Sequence, residues 1–485
     1  MMRKENQILV DAVAAAVVSV GVFVTMVACT TGNDVLVVDD TSTVVSNVRV
    51  IQFSNDIPTI QLGKTIVIDE GRITAVRDQR SVSSKDAAKV IDGKGMTVIP
   101  GLSDMHVHIW DEAEFGSYLS YGITTVRNLS GMPFHIPLKK EIDSGERIAP
   151  RFLTTGPILN STGPNAHINH QIVDTSAAAT DAVRAQYETG FRDLKVYSNL
   201  TRDAYDAIKT DAALLGMTLS GHTPEGVRNE GIPNETPFNI SFEDILDDDF
   251  VTIEHVESIV WHGLREHHDE LAARALARKI ARLDVAVTPT LVAHHNLLRT
   301  AREKDNFINR PGKELLNPFV LEAEQETISF WRSRPTEDLT TNDAFYKRVT
   351  EIFNEEGVTM VAGTDAGIFL NVPGKSLMDE LKLLVEAGLS PYDALKTATY
   401  NPAKVLNEEN ERGQVAEGFV ADLVFYECDP LSDISCVETP AGVMRRGNWF
   451  DQPALTAMRE AAANPPYERT QTNVMAGLAA QGSVP

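Results

Sequence analysis

Residues 98–108 read Val-Ile-Pro-Gly-Leu-Ser-Asp-Met-His-Val-His. Apolar and β-branched residues dominate this run, which predicts a strand. Side chains two apart on a strand share a face, so His106 and His108 can address one point in space. Alone, such a pair is a weak signal, because most are ordinary surface or core histidines. Its weight comes from what recurs downstream. Seven further strand-like segments follow at 122–128, 151–158, 191–197, 217–222, 250–256, 285–291 and 359–365. Helical patterns lie between several of them. Thr201 reads as an N-cap, with Ala204, Ile208, Ala212 and Leu215 on one apolar face. Ser376 and Asp379 have the spacing of a capping box, and Ser390-Pro391 opens another helix. Alternating strands and helices, eight times over, predict an α/β fold: a TIM-like (β/α)8 barrel.

Active sites of such barrels form at the C-terminal strand ends. The fourth strand carries Asp193-Leu194-Lys195-Val196-Tyr197. A lysine inside a buried apolar strand is costly unless it is neutralised or paired. Reaction with carbon dioxide would turn its amine into a carbamate, an anionic two-oxygen group able to bridge two metal ions. The fifth strand ends in His222, the sixth in Glu254-His255, and the eighth in Asp365. Six ligand-type residues, His106, His108, Lys195, His222, His255 and Asp365, thus converge on one rim. Scattered structural residues would rarely do so.

Outward from the barrel, 35–38, 44–53, 66–68, 73–76, 90–92 and 97–99 read as strands, with Asp69-Glu70-Gly71 as a turn. Matching segments recur at 413–415, 421–426 and 442–447, so the two ends are expected to share one sheet domain. The tail after Asp451 reads as peripheral. The chain has 485 residues, 43% hydrophobic and 23% charged, ordinary globular values. A net charge of −24 repels phosphate backbones and anionic surfaces, which argues against nucleic-acid partners. Of the three cysteines, Cys428 and Cys436 are spaced for a small disulfide loop or two free thiols. Arg3 and Lys4 precede an apolar run, 12–28, that reads as a secretory signal. Small residues before Cys29 and a polar stretch after it resemble a lipoprotein cleavage site, with Cys29 lipidated. An ordinary cleaved signal or an uncleaved anchor is the alternative.

The stretches VIPGLSDMHVH, GITTVRN, DLKVYS, SGHTPEGV, TIEHVES, VAGTDAG and EGFVADLVFYECDPL resemble the amidohydrolase superfamily, in its imidazolonepropionase-like and prolidase-like branch. The resemblance covers most of 45–450. It implies a barrel (99–404) with a composite β-sandwich (43–98 with 405–450); the residue reading adds a signal peptide (1–28), a linker (29–42) and a C-terminal extension (451–485). It implies His106, His108 and Asp365 on one metal, His222 and His255 on the other, and carboxylated Lys195 between them. Zinc is the expected ion, which suits imidazole and oxygen ligands. Two close cations would yield hydroxide near neutral pH, with Asp365 shuttling its proton to a leaving amine. The expected activity is hydrolysis of a small amide, such as a dipeptide or N-acyl amino acid. His167 and His170 in the loop after strand three, and Tyr197, are candidate substrate residues. For Tyr197, packing within the barrel is the competing expectation. His294-His295 follow strand seven and read as a surface pair with one ring able to approach the cavity. His135, His262, His267 and His268 read as ordinary surface or helix residues. The acidic insertion 230–249 reads as a solvated face, with a site cover as the alternative.

Two rivals stand. A mononuclear deaminase or cyclic-amide hydrolase would use Glu225, three residues after His222. A non-catalytic binding lipoprotein would use the barrel without chemistry. The expected partners are a small-molecule substrate and, through the N-terminal lipid alone, a membrane. That places the protein in the cell envelope, the periplasm or outside the cell. Homo-oligomerisation is left open.

Overall fold

A computed structural model describes residues 35–87, 89–164, 166, 169–228 and 236–482. The expected leader, Cys29 and His167 lie outside the described residues.

The barrel is built from parallel strands Leu102–Val107, Ile123–Asn128, Arg151–Thr154 with its continuation Ile158–Asn160, Asp193–Val196, Thr218–Gly221, Phe250–Glu254 and Val287–Thr288. Each is shorter than the sequence suggests. The first expected strand is in fact two. Thr97–Pro100 pairs with Leu423–Tyr426 outside the barrel, and Leu102–Val107 lies within it. The handover falls at Gly101, where a Cβ would meet Thr124 Oγ1 at 2.1 Å. Glycine is therefore required by close approach rather than by a turn.

The eighth expected strand, 359–365, is not continuous. Only isolated parallel bridges, Val287 to Met360 and Val107 to Ala366, mark it. Met105 N nevertheless donates to the Ala362 carbonyl at 2.9 Å, and Val361 N donates to Val287 O at 3.0 Å, so the ring closes. Two features break the ladder. Gly363 lies so close to His106 that a Cβ would approach its Cβ to 2.8 Å. Asp365 then takes a left-handed backbone, φ +58°.

Helices cover the barrel through apolar faces. In Arg202–Leu215 the buried residues include Ala204, Ile208 and Ala212, and Thr201 Oγ1 accepts from Ala204 N at 3.2 Å. Ser390 caps Pro391–Thr397 in the same way. The expected capping box at Ser376 does not form. That helix runs Lys375–Glu386 with Gly374 at its N-cap, and Ser376 lies buried inside it. Gly374 fits there because a side chain would collide with the Ser117 carbonyl at 2.9 Å.

The outer sheet joins both ends of the chain in the order Asn448–Asp451, Gly442–Arg445, Leu423–Tyr426, Thr97–Pro100, Thr43–Gln52, Thr59–Asp69 and Arg72–Asp78. Its interior is a separate apolar cluster including Val50, Ile66, Leu423 and Phe425. No strand forms at 413–415; Val415 instead exchanges two hydrogen bonds with the Gln52 side chain. Cys428 and Cys436 are disulfide-bonded.

The tail is not peripheral. Helix Gln452–Ala462 packs on Phe115–Ser120, where a Cβ on Gly116 would meet the Met458 carbonyl at 2.7 Å. Helix Tyr467–Ala480 buries Val474 and Leu478 against Trp110 and Met132. Its Arg469 grips the fully buried Asp111 through two hydrogen bonds of 2.6 and 2.7 Å. Sequence polarity hid this, because a two-helix brace needs only one narrow apolar stripe on each helix.

Among the described residues, no helix is long and apolar enough to cross a membrane.

Candidate metal centre

At the C-terminal ends of the strands, His106, His108 and Asp365 form a buried cluster with ligand atoms within 4.8 Å of one another. Asp365 Oδ1 lies 3.1 Å from His106 Nε2 and 2.9 Å from His108 Nε2. Lys195 Nζ lies 3.1 Å from His106 Nε2 and is only 1% exposed. The His255 ring packs 4.7 Å from His106 and 4.4 Å from His222. All six rim residues expected from the sequence therefore stand together.

Local backbone makes this possible. Strand five approaches strand four so closely that a Cβ on Gly221 would lie 2.2 Å from the Val196 carbonyl and 3.1 Å from Lys195 Cδ. Glu254 and His255 are consecutive, and on a regular strand they would face opposite ways. His255 has φ +68°, and this turn lets both reach the interior. Left-handed backbone in a bulky residue costs about 1–3 kcal/mol and persists where surrounding structure enforces it.

Burial is the largest influence on Lys195, His222, His255, Asp365 and Glu254. It pushes Lys195 down to about 8, against the opposing pull of Glu254 and Asp365. It pushes His255 down to about 3 and His222 well below the ordinary histidine range. Burial raises Asp365 and Glu254 too. The neighbouring imidazoles, joined at Glu254 by Arg127, outweigh it and hold both carboxyls below the usual range.

The donor set fits divalent cations. Imidazole nitrogens and a carboxylate oxygen converge within 4.8 Å of one another in a buried space, a ligand set and spacing that suit a divalent cation. His108 Nδ1 and His222 Nδ1 are buried with no hydrogen-bond partner among the described residues, which is costly in a finished polar site. His255 Nδ1 lies 2.6 Å from Thr290 Oγ1, whose own proton goes to the Pro289 carbonyl. That fixes the His255 proton on Nδ1 and leaves Nε2 a free lone pair.

A cavity of about 770 Å³ opens beside the cluster, lined by Tyr197, His222, Glu225, Arg228, His294 and Tyr346 among others. Tyr197 is thus a lining residue rather than barrel packing, its ring 3.9 Å from His222 and 4.6 Å from His170. His170 is buried behind it and contacts Asn160 at 3.1 Å. His294 lines the cavity, whereas His295 turns away to pair with Asp343. His268 also borders it. His135 and His262 are helical but fully buried, not surface residues. Glu225 is held by Arg228 at 2.7 and 3.0 Å. Residues 230–235 of the acidic insertion lie outside the described residues; of the rest, Asp244 pairs with Arg202, and Asp248 accepts from Tyr205 and Lys209.

Sequence reading gave no role to Arg127 or Glu254. The available signal was the one that exposed Lys195, a charge inside an apolar strand.

A parallel barrel whose rim gathers imidazoles, carboxylates and a buried lysine beside a deep cavity defines a metal-dependent hydrolase. Residues 97–450 match the amidohydrolase family, and the chain belongs to it. It is similar to an imidazolonepropionase of Idiomarina loihiensis, 23% identical over 404 residues, which covers 76% of this chain and 87% of that protein. Among solved structures it resembles a bottromycin amidohydrolase (TM-score 0.68, 23% identity, 88% of this chain and 92% of that one). It also resembles a Xaa-Pro dipeptidase with bound methionine (TM-score 0.65, 22% identity, 84% of this chain and all of the other). These two likenesses establish the shared fold.

Proposed function

We propose that this enzyme hydrolyses the amide bond of a small molecule, with dipeptides and N-acyl amino acids as the leading substrates, using two zinc ions. His106, His108 and Asp365 would hold one ion, His222 and His255 the other, and a carbamate on Lys195 would bridge them. When bound, the pair supplies an acidified water and polarises the substrate carbonyl. The observation that carries this reading is the position of Lys195 Nζ, buried and 3.1 Å from His106 Nε2 at the centre of the rim.

The chain's own residues supply the rest. Asp365 faces the cluster and would take the proton of the attacking water, then deliver it to the departing nitrogen. Tyr197 and His294 form walls against which the acyl and amine halves are oriented. The dipeptidase among the structural relatives supports a dipeptide-sized substrate.

The one-ion alternative needs Glu225 as a free acid and base. Its two contacts to Arg228 favour a structural role instead. Localisation in the cell envelope, through Cys29, belongs to the same proposal.

The test is a hydrolysis panel of dipeptides, N-acyl amino acids, cyclic amides, aminated bases and lactones, run on zinc-loaded protein with metal quantified. Turnover of an open-chain amide at two ions per chain is expected. Turnover confined to cyclic amides or aminated bases at one ion per chain would overturn the reading.

A further inference from the structure

Arg127 reaches across the barrel floor and ties four strands together. Its Nε donates to the Met105 carbonyl at 2.9 Å, its Nη1 to Ser220 Oγ at 3.3 Å, and its Nη2 to Glu254 Oε1 at 2.9 Å and to Thr252 Oγ1. Thr252 also hydrogen-bonds Glu254 Oε1. Glu254 Oε2 lies 2.8 Å from His106 Nδ1. Glu254 and Thr252 are fully buried, and Arg127 is 5% exposed.

An ionised carboxylate only accepts hydrogen bonds. Oε1 is committed to Arg127 and Thr252, so Oε2 must receive its proton from His106 Nδ1. A metal-holding imidazole is neutral and carries one N–H; with that proton on Nδ1, His106 Nε2 presents its lone pair toward Asp365 Oδ1 and Lys195 Nζ. The residue after Glu254 is His255, turned inward by its left-handed backbone. One short segment therefore sets the orientation of His106 with one residue and presents His255 with the next.

We infer that Glu254, locked by Arg127 and Thr252, is the positioning residue that fixes the tautomer and aim of His106. The inference rests on the reading of His106 as a metal-holding residue. Loss of such a hydrogen-bond partner typically weakens metal binding by about 10- to 100-fold.

Two measurements test it. Long-range ¹H–¹⁵N spectra of the metal-free protein, with His106 assigned from a His106→Asn variant, should show the proton on Nδ1. In Glu254→Gln the amide cannot satisfy both Arg127 and the imidazole as acceptor, so that tautomer should lose its dominance. Titration with Co²⁺, followed by its visible absorption, should show one of two ions binding about 10- to 100-fold more weakly in Glu254→Gln. A parent protein with the His106 proton on Nε2 would overturn the inference. So would a folded Glu254→Gln that binds both Co²⁺ ions as the parent does. Tautomer and Co²⁺ affinity are read without substrate, so an enzyme that fails to cleave amides counts against the proposed reaction alone.

Discussion

Trp110 Nε1 donates a 3.0 Å hydrogen bond to the Gly367 carbonyl, joining the loop that follows His108 to the loop that follows Asp365. The segments from which these loops leave carry the three closest donor residues of the rim, His106, His108 and Asp365. A Cβ on Gly367, at φ +104°, would lie 2.0 Å from the His108 carbonyl, so the loops also touch through their backbones. The C-terminal helix covers this joint from outside.

Arg469→Ala removes the partner of a fully buried carboxylate, Asp111. Arg469 itself is 42% exposed, which limits the loss. A destabilisation of about 1–3 kcal/mol is expected in urea unfolding. Parent-like stability would show that the tail braces nothing.

Asp365→Asn keeps the shape of the side chain and a coordinating oxygen but cannot store a proton. Turnover should fall by at least about 100-fold, while metal analysis still finds ions bound. Comparable turnover in this variant would remove Asp365 from the proton path.

Lys195→Arg cannot form a carbamate and fills the same space with a permanent cation. The purified variant should hold about one fewer ion per chain than the parent, measured by elemental analysis. A full complement would exclude a bridging role for this side chain.

His135 gives a pH prediction. Its Nε2–H donates to the Ile109 carbonyl at 2.9 Å, and its Nδ1 accepts from Met132 N at 3.0 Å, so the native state needs it neutral. Burial pushes it down to about 3 from an ordinary value of 6.5. The native protein therefore binds fewer protons than the unfolded chain between these values. Its contribution is complete above pH 6.5 and is lost as the pH falls toward 3, at about 1.4 kcal/mol per pH unit. The slope of unfolding free energy against pH between 6 and 4 should shrink by about one proton in His135→Asn; an unchanged slope would refute the assignment.

The rim was legible in the sequence because two rules coincide there. Alternation along a strand predicted that His106 and His108 share a face, and the cost of a buried amine singled out Lys195. Glu254 escaped for a related reason. Strand alternation places it opposite His255, and nothing in the residue types announces the left-handed turn that brings both inside. The eighth strand is less regular than its composition suggests: an apolar run ending in Gly-Thr-Asp has strand composition, while close packing of Gly363 on His106 breaks its ladder. The Ser376 cap failed because sequence spacing cannot show that Gly374 is pressed against the Ser117 carbonyl. The average polarity of the tail gives no sign of its contacts, which depend on Arg469, Val474 and Leu478.

The backbone angles at His255, Thr290 and Asp365 are all ones that glycine would adopt more comfortably. Resistance to heat and catalytic competence thus pull on these positions in opposite directions. A population of variants enriched only for surviving high temperature should relax them first, yielding sturdier barrels with a blunted rim, whereas stabilising changes placed in the outer sheet would leave the chemistry untouched.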